Sequence, residues 1–465
     1  MSTPSSLFHA YDIRGTADEG LNAAFAERFG RVLAEIYRPK RVLVGRDMRS
    51  TSPELEEALI RGLNEQGVDT IRIGLCSTPL FNVTMGLSNG AYDLGVMITA
   101  SHNPAKYNGF KMVDRDVLPI GQGSGMEAIR DRFMSDAPFA KTEKNGMTSD
   151  DPRALNAYLD RICPLIDLSA ISKMTIAIDA GNGMAGYVMP EFIQRLPNIE
   201  TVPLYWDLDG TFPHHEANPI KSETLVMLSK TVREKGCAFG VAYDGDCDRI
   251  GFVDENGEQI PGDLLTALFA RALLRDHPGE LILQDLRCSW AVAEEIKEAG
   301  GRSELTRVGH TFITRQMRES HALFAGELAM HFYYRDLWGM ESGDLTLMLM
   351  LRELAQSGKK LSELWKPLQR YAYSGEVNSN VSDTGATIAR IHDSYAPHAS
   401  STSDLDGIRM EFNVGADGKK GTDAWWFSLR PSNTEPVVRL IVEAVRQEVM
   451  EEKRDELVRM IQGAA

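Results

Sequence analysis

Cysteine and long apolar runs are scarce in this sequence, and each scarcity excludes a class of protein. The 465 residues include only five cysteines, none with Cys-x-x-Cys spacing: Cys76, Cys163, Cys237, Cys247 and Cys288. Neither a disulfide framework nor a zinc knuckle is therefore expected. No apolar stretch approaches the length of a membrane span, and "MSTPSSLFHAYDIRG" lacks the basic and apolar regions of a signal peptide. We expect a cytoplasmic protein with no membrane partner.

Basic residues are also in deficit. Lysine and arginine number 50 against 66 aspartates and glutamates, which gives a formal net charge of −16. Because nucleic-acid binding needs a basic surface, nucleic acid is not an expected partner. An anionic substrate would have to be bound by local arginines against the overall negative field. The chain is too long for a single core, which predicts three or four domains.

Three segments of the sequence share one plan. Each starts with an apolar strand that ends at an acidic residue and a turn: "RVLVGRD" (41–47), "MTIAIDAGNG" (174–183) and "ELILQD" (280–285). Each continues to a second apolar strand that runs into a polar loop: "LGVMITASHNP", "FGVAYDGDCDR" and "ALFAGELAMH". Helical patterns lie between the strands, which indicates α/β units with parallel sheets. Since loops at the carboxyl ends of such strands bind ligands, three polar loops favour one shared site over three unrelated turns.

The C-terminal part follows a different plan. Three strands, "GIRMEFNV", "AWWFSLRPS" and "PVVRLIVEAV", precede a closing helix, "RQEVMEEKRDELVRMI". This order is typical of a small α+β domain. Domain boundaries are expected near residues 151, 255 and 370, which divides the chain into 1–151, 152–254, 255–369 and 370–465.

The loop "DGDCDR" places Asp244, Asp246 and Asp248 on alternate residues of a turn. Carboxylates this close repel one another unless a cation neutralises them, and oxygen-only ligands suit Mg²⁺. The alternative is a solvated acidic turn. An EF-hand is excluded because its sixth position, which needs glycine, is Arg249. The pattern therefore favours a magnesium site.

Two further loops contain groups that can bind or carry phosphate. "RPSNTEP" offers a guanidinium, hydroxyls and an amide that suit a phosphate cradle: Arg430, Ser432, Asn433 and Thr434. Its alternative is a polar strand connection with local turn bonds. "TASHNP" presents Ser101 and His102 directly after a core strand, either as a turn that caps itself or as a serine held out to react.

Shorter motifs carry little weight alone. "YDIRG" places Tyr11 and Arg14 near a strand end, where Arg14 could simply pair with an acid. "YNGFK" ends in Lys111, but an Asn-Gly pair by itself is more often a hairpin turn. "VGH" puts His310 just before a helical run, where a histidine is more often structural than catalytic. The "GELAMH" loop adds a glutamate and a histidine that would not by themselves define a site.

Taken in order, TASHNP, DGDCDR, GELAMH and RPSNTEP resemble the motifs of the α-D-phosphohexomutases. The resemblance covers essentially the whole chain and is closest to the bacterial phosphomannomutase/phosphoglucomutase group. It implies three similar mixed-sheet α/β domains and a C-terminal α+β domain like the TATA-box-binding protein, arranged around a central cleft. It also implies an enzyme that interconverts hexose 1-phosphate and hexose 6-phosphate, of mannose or glucose. The reaction would use a phosphoserine and a hexose 1,6-bisphosphate that reorients.

The resemblance also assigns roles to single residues. Ser101 matches the serine that donates and recovers the phosphoryl group, and Arg249 matches a catalytic-site arginine. The implied ligands of one Mg²⁺ are a phosphoserine oxygen of Ser101 with Asp244, Asp246 and Asp248. The residues implied around the reacting hydroxyl and phosphate are Arg14, Lys111 and His310. Those implied for substrate binding are Tyr11, Arg287, Glu327 and His331, and those for the phosphate clamp are Arg430, Ser432, Asn433 and Thr434. Hexose phosphates as substrates, glucose 1,6-bisphosphate as activator and a monomeric state complete the implied picture.

The sequence departs from the family pattern where sugar is recognised. The usual Gly-Glu-x-Ser-Gly-His reads Gly-Glu-Leu-Ala-Met-His, so Ala329 removes a hydroxyl and Met330 adds bulk where glycine allows close approach. Arg287 stands where a lysine is common, and "GMESGD" (339–344) stands where Phe-Asp-Asp-Gly is frequent. A raised KM or a shifted sugar preference is expected. Phosphoglucosamine mutase and a non-catalytic phosphosugar sensor remain alternatives, whereas a serine hydrolase is disfavoured because no G-x-S-x-G elbow is present.

Overall fold

The computed structural model of the protein describes residues 4–140, 142–196, 198–431 and 437–463. Within these residues the chain forms four sheets in succession, one for each of the domains that we number I to IV. The first three sheets mix parallel and antiparallel strands, and the fourth is antiparallel. The fold class expected from the sequence, three α/β domains and an α+β domain, is confirmed.

Domain I contains six strands and four helices. The strands are β1 (Ile13–Thr16), β2 (Arg41–Arg46), β3 (Asp69–Leu75), β4 (Leu94–Ile98), β5 (Tyr107–Asp114) and β6 (Thr148–Asp150). The helices are α1 (Ala23–Tyr37), α2 (Ser52–Asn64), α3 (Thr78–Leu87) and α4 (Met126–Met134). The sheet order is β1-β5-β4-β2-β3-β6. Every residue of the apolar strand β4 is buried, as expected for a central strand covered on both faces.

Domain II has a smaller sheet of the same kind. Its elements are α5 (Ala154–Ile162), β7 (Met174–Asp179), α6 (Ala185–Ile193), β8 (Ile199–Leu204), α7 (Val226–Lys235), β9 (Gly240–Tyr243) and β10 (Ile250–Val253). The sheet order is β10-β9-β7-β8. Gly236 directly follows helix α7, and its left-handed backbone is the usual way to stop a helix.

Domain III repeats the pattern a third time. Its helices are α8 (Gly262–Asp276), α9 (Trp290–Glu298), α10 (His310–Ser320), α11 (Gly343–Ser357) and α12 (Leu361–Trp365). Its strands are β11 (Leu281–Asp285), β12 (Arg302–Thr306), β13 (Phe324–Gly326), β14 (Phe332–Tyr334) and β15 (Met340–Glu341). The sheet order is β12-β11-β13-β14-β15.

Domain IV is built around long antiparallel strands. Its elements are β16 (Ala372–Tyr373), β17 (Val377–Asn380), α13 (Thr384–Tyr395), β18 (Ser401–Ser403), β19 (Ile408–Val414), β20 (Lys420–Pro431), β21 (Val437–Ala444) and α14 (Gln447–Ile461). The main sheet order is β16-β21-β20-β19-β18, and β17 also pairs with β21. The three strands and the closing helix predicted for this part are all present.

The three α/β sheets share one local topology. In each of them a strand lies parallel to the first strand of its unit and antiparallel to the strand that follows it; these strands are β4, β9 and β13. The polar loops begin where these three strands end. The sequence repeat therefore corresponds to a structural repeat, and it places the three loops at equivalent edges of the three sheets.

The hydrophobic cores separate domain IV from the rest. One buried cluster extends from Leu43 in domain I through domains II and III to Leu368. Domain IV has a core of its own, and a small cluster that includes Trp290 and Trp426 joins it to domain III. Domains I to III are therefore packed as one body that carries domain IV. In the part of the chain that the structure describes, no helix is both long enough and apolar enough to cross a bilayer.

Candidate active site

The serine of the TASHNP loop, residues 99–104, which we call the serine loop, faces domain II. Ser101 follows β4 by three residues, is 2% exposed and has a φ of +51°, an uncommon backbone conformation for a residue other than glycine. Its hydroxyl donates to Oδ2 of Asp244 at 2.7 Å, and its Oγ lies 3.2 Å from Nδ1 of His102. Its N–H donates to Oγ1 of Thr99 at 2.9 Å. The loop therefore makes a local turn bond and also holds its hydroxyl against an acid of another domain.

The three aspartates of DGDCDR form a compact set of oxygens. Asp244, Asp246 and Asp248 are buried, and each has a carboxylate oxygen within 4.8 Å of the others. Among the described residues, no group hydrogen-bonds to the buried Oδ1 of Asp246. Burial and the repulsion of the neighbouring carboxylates raise the pKa of Asp244. An orphaned oxygen within a set of anionic oxygen ligands fits a hard divalent cation.

Lys111 supplies positive charge to this set. It lies on β5, and its Nζ donates to Oδ2 of Asp246 at 2.7 Å and to Asp248. Burial opposes protonation of the amine, but these two carboxylates outweigh it and raise the pKa of Lys111. Oδ2 of Asp246 also accepts from the Thr78 hydroxyl at 2.6 Å. Domain I therefore contributes both a cation and a hydroxyl to the acidic loop of domain II.

The strand around Lys111 differs from the turn that its Asn-Gly pair suggests in isolation. Asn108 and Gly109 lie in β5 and pair with β1. A Cβ on Gly109 would lie 2.2 Å from the Ile13 carbonyl oxygen, so glycine is needed for the close approach of the two strands. Sheet pairing here prevails over the local turn preference.

Tyr11 and Arg14 of the amino-terminal motif contact two different parts of the site. Arg14 donates to the Asn103 side chain at 2.8 Å and pairs with Asp12. The Tyr11 hydroxyl donates to the Val308 carbonyl at 3.1 Å, and its ring lies 5.8 Å from that of His310. Arg14 therefore supports the serine loop, while Tyr11 contacts domain III.

His310 is the first residue of α10, as the sequence pattern suggested. Burial and the charge of Lys111 lower the pKa of His310 to about 4, so its imidazole is neutral near neutral pH. His310 and Lys111 line a common small cavity, together with Glu341 and Asn82. A neutral base and a cation are therefore presented side by side.

The sugar loop, which we define as residues 326–331, is anchored by its glutamate. Oε2 of Glu327 accepts from Nδ1 of His331 at 2.8 Å and from the Tyr333 hydroxyl at 2.7 Å, and Oε1 accepts from the Gly309 N–H at 3.1 Å. Burial opposes ionisation of Glu327, but the hydrogen bond and charge of His331 dominate and lower its pKa to about 2. The glutamate is thus held as a carboxylate in a fixed orientation.

His331 joins the sugar loop to the metal loop, which we define as residues 244–249. Its Nε2 lies 3.3 Å from Oδ1 of Asp248 and 3.0 Å from Nε of Arg249. Burial and Arg249 oppose protonation of His331, but Asp248 and Glu327 outweigh them and raise its pKa to about 9. Arg249 and His331 also form a backbone bridge. The predicted catalytic and sugar residues therefore meet in one network.

Met330 departs from the expectation that its bulk would crowd the sugar. Its φ is +66°, a region that favours glycine, but its side chain is buried in the core that domains I to III share. A Cβ on Gly251 would lie 3.1 Å from the Met330 sulfur, so this side chain packs against β10. Ala329, by contrast, is half-buried. Of the two departures, only the one at position 329 lies outside the shared core.

Arg287 is bound to a neighbouring acid. Its Nη2 donates to Oδ2 of Asp285 at 2.6 Å and lies 3.8 Å from Oε1 of Glu327. Both Arg287 and Asp285 are buried. The structure therefore places Arg287, predicted from the sequence to bind substrate, in an ion pair with Asp285 and near Glu327 of the sugar loop.

The phosphate clamp is described at one of its four predicted residues, because Ser432, Asn433 and Thr434 lie outside the described residues. Arg430 contacts Oδ2 of Asp406 through Nε at 2.9 Å and Nη2 at 2.7 Å. The same oxygen accepts the Val308 N–H at 3.2 Å. The arginine of domain IV is therefore oriented next to the domain III segment that precedes His310.

Several residues of the site escaped the sequence reasoning. Thr78, Tyr333 and Asp406 each hold a predicted site residue, yet none belongs to a distinctive motif. Arg49 contacts the serine loop and is 1% exposed. The sequence feature that could have indicated Arg49 is "GRDMRS", at and after the end of the first repeated strand, which contains a second arginine.

These contacts bring a serine, an acidic metal loop, a neutral histidine and an arginine of a fourth domain to one cleft. Together with the repeated α/β fold, they define an enzyme of phosphoryl transfer on sugar phosphates. The four domains match, in order, the models of phosphoglucomutase/phosphomannomutase alpha/beta/alpha domains I, II and III and the C-terminal domain. The matched residues are 5–138, 156–257, 261–371 and 376–460. The chain belongs to the phosphoglucomutase/phosphomannomutase family, whose members are metal-dependent phosphohexomutases.

Individual relatives agree with this membership. A protein named phosphohexose mutases, from Xanthomonas campestris pv. campestris, is 36% identical over 459 residues, which are 98% of this chain and 99% of the relative. A phosphomannomutase from Methanocaldococcus jannaschii is 36% identical over 456 residues, 98% of this chain and 97% of that one. A phosphoglucomutase/phosphomannomutase family structure from Burkholderia thailandensis superposes with a TM-score of 0.87 at 31% identity, covering 100% of this chain and 98% of that one. The resemblance inferred from the four loops is confirmed.

Proposed function

We propose that the protein interconverts hexose 1-phosphate and hexose 6-phosphate, with mannose or glucose as the sugar. Relatives above 30% identity include phosphohexose mutases and phosphomannomutases, which supports this choice. Two solved structures named N-acetylphosphoglucosamine mutase are 16% and 14% identical and share the fold alone. The names of the relatives above 30% identity make phosphoglucosamine mutase the less favoured alternative.

One observation carries the proposal: the Ser101 hydroxyl donates to Asp244 at 2.7 Å across the boundary between domains I and II. A phosphate on this oxygen would adjoin the three aspartates and Lys111. Phosphoryl transfer needs alignment and neutralised charge more than covalent help from the protein. A serine held against a cation-binding loop satisfies both needs.

In the first half-reaction, an oxygen of the sugar hydroxyl attacks the phosphorus carried by Ser101. The new P–O bond forms as the P–Oγ bond breaks, and the electron pair of that bond stays on Oγ. His310, whose imidazole is neutral, would accept the proton of the attacking hydroxyl, and that proton then passes to Oγ, so that the number of protons is unchanged. Lys111, Arg14 and Arg249 offset the negative charge of the phosphoryl group.

The product of this step is a hexose 1,6-bisphosphate, which must turn over before the other phosphate is returned to Ser101. Glu327 and His331 are held rigidly and can bind sugar hydroxyls in either orientation. Arg430, with Ser432, Asn433 and Thr434 by family analogy, would bind whichever phosphate is not reacting. A clamp in domain IV, away from the serine, suits a substrate that binds in two opposite directions.

Asp244, Asp246 and Asp248 would hold one Mg²⁺, with a phosphoserine oxygen as the further protein ligand. When bound, the ion supplies Lewis-acid stabilisation of charge on the transferring phosphoryl group. Glucose 1,6-bisphosphate would act as an activator by phosphorylating Ser101. We further propose that the protein works as a monomer in the cytoplasm, and light scattering at assay concentration tests the monomeric state.

The deciding experiment compares mannose 1-phosphate, glucose 1-phosphate and glucosamine 1-phosphate in coupled assays with Mg²⁺ and trace glucose 1,6-bisphosphate. We expect turnover of mannose or glucose 1-phosphate well above that of glucosamine 1-phosphate. Preference for glucosamine 1-phosphate would favour the alternative mutase. Tight binding of a hexose phosphate without turnover would favour a non-catalytic sensor.

A further inference from the structure

We propose that Arg49 is a positioning residue that fixes the serine loop for phosphoryl transfer and joins it to domain II. This inference rests on the proposed function, since it concerns the reactivity of Ser101. Arg49 lies between β2 and α2 and belongs to none of the four motifs that carry the family resemblance. Its guanidinium is fully buried, with 0% of the side chain exposed.

The guanidinium of Arg49 uses each of its five N–H donors. Nη2 donates to the carbonyl oxygens of Ser101 at 2.8 Å and Asn103 at 2.6 Å. Nη1 donates to those of Pro104 and Tyr107, both at 2.9 Å. Nε donates to a carboxylate oxygen of the aspartate two residues earlier in the same loop, at 3.2 Å. Five donors in a planar fork are thus matched by five acceptors, three of them in the serine loop and one at Tyr107, the first residue of β5.

These contacts explain how the serine loop keeps its conformation. Three carbonyl oxygens of the serine loop and that of Tyr107 point toward one small volume, where their negative ends repel one another unless a cation lies between them. Ser101 also has a φ of +51°, a strained state that persists only when the surroundings over-determine it. The Arg49 guanidinium supplies both the charge and the directional hydrogen bonds that this state requires.

The arginine is in turn anchored to the sheet. Asp47 is fully buried, accepts from the Ser52 hydroxyl at 2.6 Å and from the Arg49 N–H at 3.0 Å, and its own N–H donates to the Ile98 carbonyl at 2.9 Å. Ile98 is the last residue of β4, from which the serine loop departs. These hydrogen bonds therefore fix the position of the guanidinium relative to β4, the strand that leads into the serine loop.

Domain II covers the other side of Arg49. The Phe212 ring lies 5.1 Å from the guanidinium carbon, and a Cβ on Gly210 would lie 2.7 Å from the Arg49 Cα. A Cβ on Gly245 of the metal loop would lie 2.5 Å from the Ser101 carbonyl oxygen, which Arg49 also binds. The arginine therefore lies where the serine loop and the metal loop are in direct backbone contact.

The test replaces Arg49 with lysine. Lysine keeps the charge but offers three donors from a point, so it cannot serve five acceptors in a planar arrangement. Since small displacements of reacting groups can cost about 100-fold in rate, we expect kcat for glucose 1-phosphate to fall by about 100-fold. The substrate-binding residues are untouched, so KM should stay within about twofold. The rate of phosphate transfer from glucose 1,6-bisphosphate to Ser101 should fall in parallel with kcat.

Arg28 provides a matched control in the same domain. It also donates to two backbone carbonyls, those of Phe133 at 2.9 Å and Ser135 at 2.5 Å, but away from the serine loop. Arg28→Lys should leave kcat and KM within about twofold of the parent. Thermal unfolding of both variants shows whether they lose similar stability. If Arg49→Lys is folded and its kcat matches that of Arg28→Lys, the inference is wrong.

A second variant covers the case in which Arg49→Lys does not fold. Phe212→Leu removes the aromatic cover from the guanidinium but leaves its hydrogen bonds in place. We expect kcat to fall about 3- to 10-fold at constant KM, because the cation loses the aromatic contact that helps to hold it. An unchanged kcat would contradict the inference. If the parent protein itself transfers no phosphate to Ser101, the proposed function fails instead, whatever the variants do.

Discussion

The metal loop and the sugar loop occupy equivalent places in two sheets, at the ends of β9 and β13, yet the sequence departs from the expected family pattern in the sugar loop and not in the metal loop. Each acid of the metal loop contacts another domain, through Ser101, Thr78 or Lys111. The anchor of the sugar loop, Glu327, is bound by groups of its own domain. An acid that serves two domains at once cannot change without loss, whereas the middle of the sugar loop can change while Glu327 and His331 hold its ends, His331 against the metal loop of domain II.

The largest effect is expected from removing the nucleophile. Ser101→Ala deletes the only oxygen that can carry the phosphoryl group in this scheme, so kcat should fall by more than about 10³-fold. The hydroxyl makes one hydrogen bond to Asp244, so the fold should persist. Coupled mutase assays and a thermal melt measure the two effects. A folded Ser101→Ala protein with near-parent turnover would show that neither this serine nor its contact with the metal loop is needed for the reaction.

Loss of the cation should rank next. EDTA should abolish activity and Mg²⁺ should restore it, because three buried carboxylates would otherwise face the phosphate. Asp246→Asn removes one anionic ligand and should raise the Mg²⁺ concentration needed for half-maximal activity by about 10- to 100-fold. Asp160→Asn, at an exposed ion pair with Arg195 in the same domain, should leave that concentration unchanged. Full activity after thorough chelation would exclude the metal role.

A change at the anchor of the sugar loop should have an intermediate effect. Glu327→Gln replaces a carboxylate that accepts three hydrogen bonds, each of the kind worth about 1.5–3 kcal/mol when a charge is involved. We expect kcat/KM for glucose 1-phosphate to fall about 10- to 100-fold. Glu280→Gln, at a partly exposed ion pair with Arg335, is the control and should be near neutral. Equal kcat/KM values in the two variants would mean that Glu327 has no role in recognition.

The smallest effects are expected in the middle of the sugar loop, where the two departures should separate. Ala329→Ser restores one hydroxyl and should lower KM for glucose 1-phosphate several-fold, the equivalent of about 0.5–1.5 kcal/mol. Steady-state assays with both hexose phosphates measure it, and an unchanged KM for both would show that position 329 makes no contact with sugar.

Met330→Gly should act on stability instead of KM. It relieves a left-handed backbone that costs about 1–2 kcal/mol, but it deletes a buried side chain whose truncation typically costs about 2–5 kcal/mol. The packing loss is the larger, so the free energy of unfolding should fall by about 1–3 kcal/mol. Urea denaturation checks this value. A lower KM without loss of stability would show that Met330 faces the cleft after all.

Much of this arrangement is readable from the sequence because it is local. The apolar strands, the acidic loop and the serine turn each lie within a few adjacent residues, so their patterns predicted β4, β9 and the metal loop. The contacts of Lys111 with Asp246, which are 135 residues apart, depend on how two sheets dock and have no local signal. Arg49 carried only the weak signal of a second arginine after β2, since its acceptors are backbone carbonyls that any residue provides.

The orientation of Met330 was also beyond sequence reasoning. A comparison with the family motif shows that glycine is replaced, but not on which side of the loop the new side chain lies. That side is set by a left-handed backbone and by the space beside Gly251. The sequence-based expectation of a crowded sugar pocket is therefore replaced by that of a repacked core.

The central claim, that Ser101 carries the phosphoryl group beside the metal loop, is tested most directly by peptide mapping after incubation with glucose 1,6-bisphosphate and Mg²⁺. We expect one phosphate on Ser101, discharged when glucose 1-phosphate or mannose 1-phosphate is added. Phosphate on a different residue, or an unmodified Ser101 in a protein that still turns over hexose phosphates, would contradict the account.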